Sequence, residues 1–225
     1  MQIAASVSTL GSMEQQKRLE IIAGNIANSE TPGFKRDRVH FSDFINQTSY
    51  TQMDQGRIHD TGDSLNVALM GKGFMRVQSP DGVLYTRAGD LTIDGNNTLV
   101  TQEGWPVLGQ GGPVQITSSD VRIDGDGQIY VDGSVVDRLD LVEFGDDVRL
   151  EKTSYQCFKP VDEGQTPTAA TDCTVRQGSI EGSNVAVVEE MTEMIDTMRV
   201  FEAYQKTLQA VSEEDSQIIT KLGSS

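Results

Sequence analysis

Aromatic side chains are scarce, at 6% of 225 residues, and the chain has only six prolines, two cysteines, two histidines and one tryptophan. With 36% apolar residues the core must be lean, although a chain of this length still buries roughly 70% of its unfolded surface. No apolar run approaches the roughly 18 residues that a membrane-spanning helix requires, so membrane insertion is not expected. The first residues, MQIAASVSTLGSMEQQKRLEII, lack a basic region followed by a compact apolar stretch. They do not read as a cleaved signal peptide. Basic residues are also in deficit, 18 against 34 acidic ones, for a formal net charge of −16. Such a surface repels a phosphate backbone and an anionic bilayer, which excludes nucleic acid as a partner. The ordinary meaning of the charge is solubility.

Residues for chemistry are equally sparse. Cys157 and Cys173 could close a loop worth about 3 kcal/mol in the chain-entropy model or stay as free thiols. A zinc site would need more ligands, and His40 and His59 are far off in sequence. There is no G-x-S-x-G motif and no activated nucleophile. GKGF at 71–74 and GQGGP at 109–113 lack the lysine and hydroxyl of a phosphate-binding loop, and read as turns. IDGDGQIYVDG carries Asp124, Asp126 and Asp132, but Ile129 stands where a calcium loop starting at Asp124 needs glycine. A hairpin with an Asp-Gly turn fits better. A calcium-dependent β-module remains the rival reading. Trp105 in EGWPVLG reads as packing. The expectation is no enzyme, no metal and no cofactor.

The 22 glycines suit many tight turns. Residues 65–150 alternate short apolar–polar segments with Gly, Asp, Asn and Pro, as in Val121-Arg122-Ile123 and Ile129-Tyr130-Val131. That pattern predicts a small antiparallel sandwich or barrel. The two ends are different. Ile3, Val7 and Leu10, then Leu19, Ile22 and Ile26, have helical spacing, and Thr31-Pro32-Gly33 stops that helix. Near the other end, Val187, Met191, Met194, Met198, Phe201, Leu208, Val211, Ile218 and Leu222 follow a three-four pattern. Ser183 or Asn184 can cap its start. A helix over 185–222 would run roughly 57 Å. It is too long to hide one apolar stripe against a modest β-domain, so it needs another helix. Residues 1–38 carry five basic and four acidic groups, net +1, and residues 181–225 three and nine, net −6. Their pairing is electrostatically permitted, and the length mismatch leaves stripe for neighbouring subunits. The predicted fold is α+β. It has an N-terminal helix (1–33), an extended linker (34–64), an antiparallel β-rich core (65–182) and a C-terminal helix (183–225). The two helices pair as a coiled-coil-like hairpin.

IIAGNIANSETPGFKR closely resembles the N-terminal signature of bacterial flagellar rod and hook proteins, with Asn25, Asn28, Pro32, Gly33 and Phe34 at its positions. GKGFMRVQ, YTRAGDLTID, LVTQEGWPVLG and IDGDGQIYVDG are similar, in order, to core segments of the rod proteins. EGSNVAVVEEMTEMIDTMRVFEAYQKTLQAV resembles their C-terminal signature, through Glu181 to Val185, Glu189, Glu190, Met191, Phe201 and Glu202. The resemblance implies an axial structural subunit of the basal body, exported by the flagellar type III apparatus. It would assemble in the periplasm with copies of itself and other rod proteins, through the terminal helices. A Cys157–Cys173 bond could form there. Hook proteins usually have large central insertions, and distal rod proteins extra sequence after the N-terminal helix. The short stretch after Phe34 therefore resembles the proximal rod type, with the distal rod or hook type as the alternative.

Overall fold

The structure, a computed structural model, describes residues 2–43, 46–145, 148–153, 156–162 and 164–223, with side chains of 6–39 and 49–214 within that set. The chain forms two compact units. One comprises Met1–Ala27, Asp37–Tyr50 and Val185–Ser225, the other Asn28–Arg36 and Thr51–Asn184.

The first unit is built on two helices, α1 (Gln2–Ala27) and α2 (Val187–Gly223), with a hairpin of strands Asp37–Asp43 and Asn46–Thr51. At 1.5 Å per residue α2 is about 55 Å long. Its first turn carries Glu189 and Glu190, which the positive end of the helix dipole favours. The helices pair antiparallel. Gly11 lies under Tyr204, Gln205 Nε2 donates to Ser12 Oγ at 3.2 Å, and Arg18 meets Glu193 at 2.5 Å.

The seam does not follow the apolar periodicity in full. On α1 it buries Ser8, Ser12, Gln15, Ile22 and Asn25, with Leu19 and Ile26 half-buried. On α2 it buries Glu190 and Thr197, with Val187, Met194, Phe201, Tyr204, Leu208 and Val211 half-buried. Val7 and Leu10 on α1, and Met191 and Met198 on α2, face outward instead. Small residues explain the shift. An added Cβ on Gly11 would lie 2.5 to 3.0 Å from the Tyr204 ring. The backbone of α1 therefore comes closer to α2 than a larger residue there would allow. The side chains of Ile3, Ile218 and Leu222 lie outside the described residues.

The second unit is a set of short sheets, every described pair antiparallel. Its widest sheet orders the strands 150–152, 157–160, 82–86, 74–79, 141–143 and 168–169. A three-stranded sheet (121–123, 128–131, 134–138) and small pairs such as 67–70 with 174–177 complete it. The Asp-rich segment is the expected hairpin. The Asp124 carboxylate accepts from the backbone N–H groups of Asp126 (3.0 Å) and Gln128 (2.9 Å), so it is spent on closing the turn. One apolar cluster, including Leu69, Met75, Val77, Leu99, Ile116 and Ile129, fills the centre, and Trp105 packs against it. A second cluster stacks Phe74 edge-to-face on Phe144 and Phe158, with centroids 5.9 and 5.7 Å apart. The stretch read as a linker supplies strand Ile58–Asp60, which pairs with Ser179–Glu181.

Candidate functional site

The two sequence signatures meet twice, once in each unit. In the helical unit, Asn25 is buried at the end of α1. Its Nδ2 donates to the Asp37 carbonyl (2.9 Å) and to the Glu190 carboxylate (3.0 Å), and its Oδ1 accepts the Asp37 N–H (2.9 Å). One amide thus holds the returning chain and bonds the opposite helix. Glu190 is 1% exposed. A carboxylate in that position is very costly without partners, and the Asn25 amide is one of them.

In the β-unit, residues of T-P-G-F-K-R lock onto residues of E-G-S-N. Gly33 N–H donates to the Glu181 carbonyl at 2.8 Å. Gly33 has φ +68°, and an added Cβ would lie 2.5 Å from the Ala88 backbone nitrogen, so both conformation and space require glycine. Arg36 N–H donates to Asn184 Oδ1 (2.6 Å), while Asn184 Nδ2 donates to the carbonyls of Gln52 (2.8 Å) and Asp54 (3.0 Å). Asn184 therefore bridges three strands of chain rather than capping α2, which starts at Val187. Phe34 is buried, and the Lys152 ammonium sits 3.8 Å from its ring centre. Pro32 is half-buried in the same turn, after Asn28, whose carbonyl accepts the Thr31 N–H at 3.2 Å.

The centre of this clasp is ionic. Lys35 and Glu181 are 0% exposed and Arg87 is 3%. Lys35 Nζ reaches Glu181 Oε1 at 2.5 Å, and Arg87 Nε reaches Oε2 at 2.8 Å. Two cations thus share one carboxylate. The remaining donors go to carbonyls: Lys35 to Asp54 (2.8 Å), Arg87 to Gly71 and Gly73 (both 2.9 Å) and Leu69 (3.2 Å). Burial pushes the Lys35 ammonium below its ordinary value, and Glu181 pulls it back up. Lys35 and Arg87 were not singled out by sequence reading. The only hint was a charged residue in a segment that otherwise reads as buried strand and turn, YTRAG.

Both clasps are networks of buried hydrogen bonds and ion pairs that tie separate segments of the chain together. Among the described residues no three His, Cys, Asp or Glu side chains gather as a metal site, and no helix is long and apolar enough to cross a membrane. Comparison with known proteins matches the same segments. The flagella basal body rod protein family matches residues 6–35, the flagellar hook protein FlgE/F/G D1 domain residues 68–131, and the flagellar basal body rod FlgEFG protein C-terminal family residues 176–221. The flagellar basal-body rod protein FlgG of Buchnera aphidicola is 32% identical, over 90% of this chain and 93% of its own. The chain belongs to the flagellar basal-body rod protein family. Rod proteins named FlgF are similar too: that of Caulobacter vibrioides is 31% identical over 94% of each chain, and that of Mesorhizobium japonicum 28% over 100% of this chain and 99% of its own.

In the structure of this rod protein Cys157 and Cys173 are unbonded. Cys157 is fixed in strand Cys157–Pro160 opposite Thr86, and Cys173 packs against Gly73. Burial pushes the Cys157 thiol up to about 12, with a hydrogen bond to Thr86 working against it, and burial also raises Cys173. Disulfide chemistry needs a thiolate, which these sites suppress. A pH dependence follows. A thiol whose pKa is raised by folding adds stability that is full below its unfolded value of 9.0 and is lost as pH climbs toward about 12. Across that window stability should fall by about 1.4 kcal/mol per pH unit from this group. Urea titrations at several alkaline pH values should show a shallower fall for Cys157→Ala. An unchanged slope would contradict the assignment.

Proposed function

We propose that this rod protein is an axial building block whose paired terminal helices carry the contacts to neighbouring subunits, and that it catalyses nothing. It polymerises helically with copies of itself and other rod proteins, and passes torque from motor to hook. One observation carries this reading. After α1 and α2 have paired, Val7, Leu10 and Met13 and then Val188, Met191, Ile195 and Met198 remain exposed, Val188 at 79%. Soluble chains rarely leave so much apolar surface in contiguous rows without a partner. The residues assigned to assembly divide accordingly. Val7, Leu10, Met191 and Met198 face neighbours. Leu19, Ile22, Ile26, Val187, Met194, Phe201, Leu208 and Val211 hold the pair together. Asn25 belongs to the clasp of the helical unit, and Asn28, Pro32, Gly33, Phe34 and Asn184 to the clasp of the β-unit.

Export through the flagellar type III apparatus and a place in the proximal part of the rod complete the proposal. The match with the Mesorhizobium FlgF, which covers 100% of this chain and 99% of that one, supports that place. The test is Met198→Asp. Met198 is exposed in the single chain, so stability of the monomer should change by no more than about 0.5 kcal/mol. Motility and recovery of rods should be lost, because the charge would be buried without a partner. Normal motility in this variant would refute the proposal.

A further inference from the structure

We infer that residues 174–184 are a strap that closes the β-unit last, and that the unit stays open until this stretch reaches it. The strap is an extended run with a corner at Gly178, where φ is +73°. Before the corner, 174–177 pairs with 67–70; after it, 179–181 pairs with 58–60. Each pair is a sheet of two strands, so the strap completes both.

It is fastened along its whole length. Val175 enters the central apolar cluster, and its N–H donates to the Gly125 carbonyl at 2.9 Å. Gln177 Nε2 donates to the carbonyls of Ser64 (2.7 Å) and Val121 (2.8 Å), and its Oε1 accepts the Ile123 N–H (3.1 Å). The Gly178 carbonyl accepts the N–H groups of Thr61 (2.8 Å) and Gly62 (3.0 Å). Glu181 and Asn184 form its far end, in the clasp with Lys35, Arg36 and Arg87.

Order follows from position in the chain. The widest sheet ends with 168–169 and the three-stranded sheet with 134–138, so both are complete in sequence before the strap begins. The strap's own partners lie far back. Ser179 bonds Asp60 across 119 residues, and Glu181 meets Lys35 across 146. Loops of that length close late, because their entropy is lost before the contact compensates it. Without the strap, Lys35 and Arg87 would have to enter the interior lacking the carboxylate they share, which is strongly unfavourable. They stay hydrated, and residues 28–36 stay undocked, until Glu181 arrives. A chain is made from its N-terminus, so any process that delivers it in that direction handles an unlocked β-unit through residue 173. The device acts within one chain, whichever surfaces meet neighbours.

Two experiments on the full chain test this. In the first, Trp105 fluorescence follows folding and unfolding of the β-unit. Glu181→Gln and Val175→Ala should speed unfolding about tenfold or more and change the folding rate less than about twofold, because their contacts form after the transition state. Folding slowed beyond that in either variant would overturn the inference. The second needs no variant. Ribosome-stalled chains carry the whole sequence and a C-terminal linker, and are treated briefly with protease. A protected β-unit fragment should appear only when the linker is long enough to bring residues 174–184 out of the exit tunnel. Protection with the short linker, or none with the long one, would overturn it equally.

Discussion

Glu181→Ala is expected to cost the β-unit about 3–5 kcal/mol, the usual penalty for removing one member of a buried ion cluster. The carboxylate is bound by both Lys35 and Arg87, which are themselves buried. Its loss leaves two desolvated cations with carbonyl partners alone. It also removes the acceptor for the Gly56 N–H, bonded at 2.8 Å. Against a typical domain stability of 5–15 kcal/mol, this brings the unit close to unfolding. Glu181→Gln keeps the shape and one acceptor, and should cost less, about 2–3 kcal/mol. The single tryptophan, Trp105, packs against the core of this unit, so its fluorescence in a urea titration reads the effect directly. A loss under about 1 kcal/mol for Glu181→Ala would show that the cluster contributes little.

The helical unit has its own weak point at Asn25. Asn25→Ala removes three hydrogen bonds and deprives the buried Glu190 carboxylate of its amide donor. The expected loss is about 2–4 kcal/mol, since an unsatisfied buried group costs more than the bond it made. Asn25→Asp should be worse, because it sets a second carboxylate against the first. Replacing both partners, Asn25→Leu with Glu190→Leu, should recover most of the loss, as apolar substitutes for a buried polar pair often do. Helical circular dichroism through thermal unfolding of the four chains completes the cycle. Equal losses in the double and single variants would mean that the Asp37 contacts matter and the Glu190 contact does not.

Both clasps lie within motifs visible in the amino-acid sequence, yet their partners were only partly visible. The turn at Pro32-Gly33, the Asp124 hairpin, the terminal helices and the β-core follow from local rules of backbone and periodicity, and those rules held. The seam was harder. α1 carries apolar residues on two sides, Leu19, Ile22 and Ile26 on one and Val7, Leu10 and Met13 on another, so a count of apolar positions cannot phase it. What phases it is Ser8, Gly11, Ser12 and Gln15, chosen for size rather than hydrophobicity. Lys35 and Arg87 escaped for a related reason. A charged residue normally marks a surface, and only the fold brings Glu181, some 94 residues beyond Arg87, between them.

The notch at Gly11 works like a keyway. Tyr204 rests where a side chain is missing, and the neighbouring seam positions, Ser8, Ser12 and Gln15, all carry a Cβ that would block the ring. A slip of α1 along α2 by one turn in either direction would drive the ring into one of them. Axial pull or thrust on either helix is therefore passed to the other by shape, without reliance on ion pairs that salt would weaken. In a shaft that must turn without creeping, a ring in a slot is a mechanical index that fixes the register of α1 on α2.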